Sequence, residues 1–234
     1  SEILYYTREV SISLQLCHPC TIKCIGYNIS KSKTKKYGVI LYEKCSNSSL
    51  DKIFDQEQKG SQILSETRKL IIIYGIASAM AYLHSYNIIH RDLKVENVCL
   101  DDYLNPKIID FGTSKLEYDH INMIRDLSKS VQTTTPITMA PETIENAEIV
   151  EAIFTKKSDV YSFAIALYRI VTGITPFGGQ NVFQLCKQIM EGYRPSLDLP
   201  IPECYKNLIE RCWSQEPEKR PTFAEIVNEL ETNP

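Results

Sequence analysis

The stretch His90-Arg91-Asp92-Leu93-Lys94-Val95-Glu96-Asn97 sets a carboxylate, an ammonium group and an amide close together, just after an apolar run and just before the β-like Val98-Cys99-Leu100. Each group suits a different part of one reaction. An attacking hydroxyl needs a carboxylate to orient it and accept its proton, a moving phosphate needs a nearby cation, and magnesium needs an oxygen ligand. Asp92, Lys94 and Asn97 supply one of each. Farther on, Asp110-Phe111-Gly112 follows the apolar Ile108-Ile109, where a strand end would present the Asp110 carboxylate to a cleft as a magnesium ligand. An Asp-x-Gly tripeptide alone is also ordinary turn chemistry, and its place after the first block gives it weight.

Such groups need a scaffold, and 234 residues with 43% hydrophobic content suffice to build one large domain or two small lobes. A net charge of -3 gives no reason to expect nucleic acid or an anionic membrane as partner. The longest greasy stretch, Leu70 to Leu83, is interrupted by Tyr74, Gly75 and Ser78 and is too short to span a bilayer, so no membrane segment is expected. The eight cysteines are scattered through apolar segments and read as reduced thiols in a cytoplasmic setting. Residues 1 to 16 suggest a helix that ends before His18-Pro19, and the runs Thr21 to Tyr27 and Tyr37 to Tyr42 suggest a hairpin around a Lys/Ser-rich turn. Helical patterns cover Arg68 to Ser85, Ser158 to Thr172, Val182 to Met190, Tyr205 to Ser214 and Thr222 to Glu231, with short β-like pieces at Val98 to Leu100 and Lys107 to Ile109. A small β-containing part followed by a larger helical one implies two lobes, with a boundary and a ligand cleft near Cys45 to Leu50.

Three further blocks complete a pattern: Thr135-Pro136-Ile137-Thr138-Met139-Ala140-Pro141-Glu142, Ser158-Asp159-Val160-Tyr161-Ser162-Phe163, and Cys212-Trp213 through Arg220-Pro221. In type, order and spacing the five blocks resemble the catalytic domain of eukaryotic protein kinases, most nearly the tyrosine-kinase-like group of serine/threonine kinases. The resemblance implies the α+β two-lobed kinase fold, with a truncated β-containing N-lobe and hinge over 1–45 and a mainly helical C-lobe over 46–234. It implies ATP and Mg2+ as cofactors and a protein substrate bearing a Ser or Thr hydroxyl. Asp92, Lys94, Asn97 and Thr135 would be catalytic, Asn97 and Asp110 would hold metal, and Tyr42, Glu43, Cys45, Cys99 and Asp110 would surround the nucleotide. The hinge backbone from Glu43 to Cys45 would meet adenine, Tyr42 would guard the back of the pocket, and Cys99 would form its floor. Lys94 and Thr135 fit the serine/threonine-specific pattern. Glu142 and Arg220 should pair in the C-lobe, Asp159 should hold the catalytic-loop backbone, and Arg91 should meet a phosphorylated Ser128, Ser130, Thr133 or Thr134.

The pattern also has gaps. The first glycine is Gly26, so no glycine-rich loop occurs, and no lysine stands ahead of Glu9 to pair with that expected helix glutamate. The chain as it stands is therefore expected to bind ATP weakly, and a partner-binding domain without phosphoryl transfer is the rival reading. Ser13 and Cys24 fall where larger apolar groups stack between the lobes of the family, which predicts loose packing. Cys17-His18-Pro19-Cys20 with Cys24 has the residue types of a zinc site, but all candidates crowd one run around a proline, whereas structural zinc uses two separated pairs. A helix-to-strand corner explains His18-Pro19 without metal. His84 and His120 show no partner in a recognisable pattern.

Overall fold

In a computed structural model the described residues are 2–31, 36–117, 136–147, 154–179 and 181–232. The chain opens with helix α1 (Glu2–Ser13), which leans on an antiparallel hairpin of β1 (Cys24–Lys31) and β2 (Lys36–Tyr42). Register runs from Cys24 opposite Tyr42 to Lys31 opposite Lys36, with a bulge between Cys24 and Gly26. The inner face of this small unit meets α1, while Ile25 at 60% and Leu41 at 58% exposure leave its other face apolar and open.

Glu43 to Ser49 leads into the larger part. Backbone bonds from Asn47 N to Leu100 O and from Leu100 N to Ser48 O tie this link to β4 (Val98–Leu100), which pairs with β5 (Pro106–Ile108). Helix α2 (Leu50–Gln58) follows, anchored by Leu50, Ile53 and Phe54. The sequence patterns above miss it, because a single helical stripe of three apolar residues is a faint signal among so many charges. Helix α3 (Glu66–Ser85) starts at a Ser65 cap that accepts from the Arg68 N–H, and it is buried along much of its length. At Gly75 its backbone lies so close to Pro106 and Cys20 that any Cβ would collide with them. A second small pairing joins β3 (Ile88–Ile89) to β6 (Lys115–Leu116).

The core centres on α5 (Lys156–Thr172), after the short α4 (Pro141–Ala147). Thr155 and Ser158 form a reciprocal capping box at its start, and Gly173 at φ 70° closes it in the left-handed conformation that favours glycine. Between these ends α5 is buried from Ser158 through Ile170, which makes it the axis of the helical part. Around it pack α3, α7 (Glu203–Cys212) and, through Phe163 on Phe223, α8 (Phe223–Thr232), with α6 (Val182–Met190) beside α4. The result is a small strand-containing part and a mainly helical large part, as the resemblance implies.

Candidate active site

The loop His90 to Asn97 sits on a buried carboxylate. Asp159, in the first turn of α5, accepts the His90 N–H through Oδ2 at 2.9 Å and the Arg91 N–H through Oδ1 at 2.9 Å. Its Oδ2 is also 2.8 Å from His84 Nε2, so the histidine without a partner in the sequence pattern packs, partly buried, against the residue that holds the loop. That pairing was invisible in sequence because α3 and α5 lie far apart along the chain and meet only in the core. Arg91 has φ 73°, a strained value for a residue with a side chain, and the bond to Asp159 is part of what holds it there.

The expected catalytic residues Asp92, Lys94 and Asn97 converge. Asp92 is 4% exposed; its Oδ2 lies 2.8 Å from Lys94 Nζ and accepts from Asn97 Nδ2 at 2.9 Å. Asn97 Nδ2 also donates to the Asp92 carbonyl at 2.8 Å. Asp92 Oδ1 is buried and has no hydrogen-bond partner among the described residues. One oxygen is thus fixed and the other is left to accept. Thr135, the remaining catalytic candidate, lies outside the described residues, as do Ser128, Ser130, Thr133, Thr134 and His120.

Asp110 adopts φ 66°, a second strained residue at the site. It is connected to the loop through its neighbour: Ile109 N–H donates to the Asn97 carbonyl at 3.0 Å, and Ile109 O lies 3.3 Å from His90 Nε2. Phe111 is fully buried and meets the His90 ring edge-on at 5.6 Å. Because the amide nitrogen of Asn97 faces Asp92, its Oδ1 is the atom left to face a cation. With the Asp110 carboxylate this gives hard oxygen donors of the kind Mg2+ prefers.

One contact escaped the sequence reading. Tyr5 of α1 donates its phenol proton to Asp110 Oδ1, and its ring lies so close to Gly112 that any side chain there would collide with it. Burial first, then the bond to Asp110, raises the phenol well above its ordinary pKa. The available signal was spacing: Tyr5 lies four residues before Glu9 and so shares its helix face.

Glu9 itself accepts from Tyr42 Oη at 2.7 Å. Burial lifts the Glu9 carboxyl above its ordinary 4.5, the Tyr42 bond opposes that rise, and the charge of Asp110 adds to it. Since the Tyr42 proton goes to Glu9, the 3.1 Å contact with Ser13 has Ser13 as donor. This corrects the expectation of loose packing at Ser13, which is buried and hydrogen-bonded. At the hinge the Glu43 N–H donates to Lys23 O, and its side chain accepts from Lys107 Nζ at 3.1 Å. Cys45 and Cys99 sit side by side, and burial pushes the Cys45 thiol up to about 12. His18 accepts the Cys20 N–H at Nδ1 and approaches Ser78 at 3.2 Å with Nε2, so its ring serves the corner.

Away from the reacting groups, the expected C-lobe bridge is present. Arg220, fully buried, reaches Glu142 with both terminal nitrogens at 2.7 and 2.8 Å. Among the described residues no helix is long and apolar enough to cross a membrane.

With this geometry in place, comparison with known proteins is informative. The family described as protein tyrosine and serine/threonine kinase matches residues 2–230. The RGS domain-containing serine/threonine-protein kinase A of Dictyostelium discoideum is 34% identical over 227 residues, which cover 97% of this chain and 18% of that protein. The serine/threonine/tyrosine-protein kinase HT1 of Arabidopsis thaliana is also 34% identical over 227 residues, covering 97% of this chain and 54% of HT1. A putative serine/threonine-protein kinase/receptor, R831, of Acanthamoeba polyphaga mimivirus is 37% identical over 164 residues, 69% of this chain and 9% of that protein. The chain therefore spans between 9% and 54% of the length of these relatives.

Proposed function

Since this chain belongs to the protein tyrosine and serine/threonine kinase family, we propose that its protein transfers the γ-phosphoryl group of ATP to Ser or Thr hydroxyls of protein substrates. The observation that carries this reading is the Asp92 carboxylate: buried, fixed at Oδ2 by Lys94 and Asn97, and unpartnered at Oδ1. A substrate hydroxyl entering the cleft would donate to Oδ1, which aims its oxygen and receives its proton. Lys94 fulfils two roles, fixing Asp92 Oδ2 at 2.8 Å and offering positive charge beside the transferred group. Asp110 and the Asn97 amide oxygen would hold Mg2+, which neutralises phosphate charge when bound. Adenine would lie along the Glu43 to Cys45 backbone, above Cys99 and in front of Tyr42. The 1–45 and 46–234 parts would then be the two jaws of the nucleotide cleft.

A second reading, a partner-binding domain without transfer, is favoured by the Tyr5–Asp110 contact and by the engagement of Glu9 with Tyr42. One experiment separates them. Transfer from labelled ATP with Mg2+ to a Ser/Thr peptide pool is measured for the full-length protein and for its Asp92→Asn variant. We expect turnover in the unmutated protein and a loss of about 10²–10⁴-fold or more in the variant, with an unchanged thermal melt. Absence of turnover in the unmutated protein favours the second reading, and equal turnover in both removes Asp92 from the chemistry.

A further inference from the structure

Beside the catalytic loop lies a small cavity of about 60 Å³, bordered by Lys94, Glu96, Thr138, Ile165, Arg169 and Thr175. That is several times the ~10–15 Å³ one water requires. Lys94 is the shared wall, and its Nζ is 2.8 Å from Asp92 Oδ2, so the cavity is one side chain away from the proposed catalytic carboxylate.

Arg169 gives the cavity its chemistry. It lies near the end of α5 and is 8% exposed. Its Nη1 donates to Thr175 Oγ1, its Nη2 stands 3.6 Å from Asp55 Oδ1, and its guanidinium lies 5.7 Å from the centre of the Phe54 ring. The Nε–H is buried with no hydrogen-bond partner among the described residues. Asp55 answers the charge poorly, because 3.6 Å is long for an ion pair and the Asp55 side chain is 60% exposed, so solvent screens it. A buried guanidinium with an unmet N–H is a costly feature that an entering acceptor would relieve. The group that matches a planar guanidinium best is a carboxylate. Glu96 is the only acid among the described lining residues, and it is exposed, so its repulsion is screened while the attraction of Arg169 is not.

We propose that this cavity is a substrate subsite in which Arg169 receives the side-chain carboxylate of an acidic residue flanking the phosphoacceptor. The proposal rests on the kinase reading, since it takes the peptide that presents a hydroxyl to Asp92 as the source of the carboxylate. It makes Arg169 a specificity-determining residue, distinct from the groups that perform transfer.

The test uses the full-length protein and Ser-containing peptides in which each flanking position is in turn Glu, Gln or Lys. Binding is read by fluorescence anisotropy and phosphoryl transfer is read in parallel. At one flanking position Glu is expected to bind about tenfold more tightly than Gln, the size of a charge-assisted hydrogen bond in a shielded site, with Lys weaker than Gln. Arg169→Leu should remove the preference, and Arg169→Lys should keep part of it. Equal binding of Glu and Gln peptides at every position overturns the proposal, as does a preference that survives in a folded Arg169→Leu protein. If Arg169→Leu fails to melt cooperatively, the unmutated peptide series and Arg169→Lys decide. An acid preference in binding without transfer would overturn the catalytic reading and leave the subsite standing. Transfer without an acid preference would do the reverse.

Discussion

The catalytic loop and helix α1 face the same cleft but are held in opposite ways. The loop rests on Asp159, a buried carboxylate that accepts from two backbone N–H groups and contacts His84, all at 2.8–2.9 Å in the core around α5. Helix α1 reaches the site through two phenols, Tyr5 on Asp110 and Tyr42 on Glu9, at half-buried positions beside a hairpin whose far face is open and apolar. The first arrangement resists displacement because moving any member strands buried polar groups. The second can exchange its bonds for water or a ligand at little cost. In this molecule the atoms proposed for chemistry are fixed by buried bonds, and a phenol of the more loosely held part lies on the proposed metal ligand.

The largest test of that contrast is Asp159→Ala. Losing the acceptor for the His90 and Arg91 N–H groups and for His84 should lower stability by roughly 3–5 kcal/mol in urea denaturation. A loss below about 1 kcal/mol would show that the loop is held by something else. A smaller and opposite effect is expected from Tyr5→Phe. With its phenol gone, Asp110 no longer has to give up a hydrogen bond to receive a cation, so calorimetry should show Mg2+-dependent ATP binding tighter by about three- to tenfold. Unchanged or weaker binding would mean that Tyr5 supports the cation site instead of covering it.

The smallest effect concerns Glu9. Its folded-state pKa lies above its unfolded value, so ionisation favours the unfolded chain. Stability therefore declines as pH rises from about the ordinary 4.5 through the raised folded value. Glu9→Gln removes that penalty. Its melting temperature should match that of the unmutated protein near pH 4 and exceed it by about 1–3 °C at pH 7. A difference that is the same at both pH values would mean that Glu9 stays ionised throughout and that burial is not what governs it.

Much of the fold was legible because it is written in local signals. The long apolar runs within α3 and α5, the boundaries of α6 and the presence of a hairpin follow from periodicity. But β1 starts at Cys24 rather than Thr21 and runs on to Lys31, into the Lys/Ser-rich stretch read as its turn, because backbone pairing there does not depend on apolar side chains. The order Asp92, Lys94, Asn97 and then Asp110 likewise names its own chemistry, since few other reactions call for those groups in that sequence. Helix α2 was passed over because its apolar residues are few, and only the floor supplied by the 3-10 turn Val95–Asn97 makes them sufficient. His84, Tyr5 and Arg169 were read as ordinary or not read at all, and Ser13 was read only as a small residue in place of a larger one. Their partners, Asp159, Asp110, Tyr42 and the cavity beside Lys94, come from distant parts of the chain.

By itself, then, the sequence determined which elements form and which side chains carry reactive groups, because helix and strand periods and functional-group types are properties of neighbouring residues. Only the tertiary structure decided which oxygen of Asp92 is left to accept, that a tyrosine lies across Asp110, and that a buried arginine borders the catalytic loop. Those are outcomes of burial and of competition among distant hydrogen-bond partners, and they exist only once α1, α3 and α5 have packed around the loop.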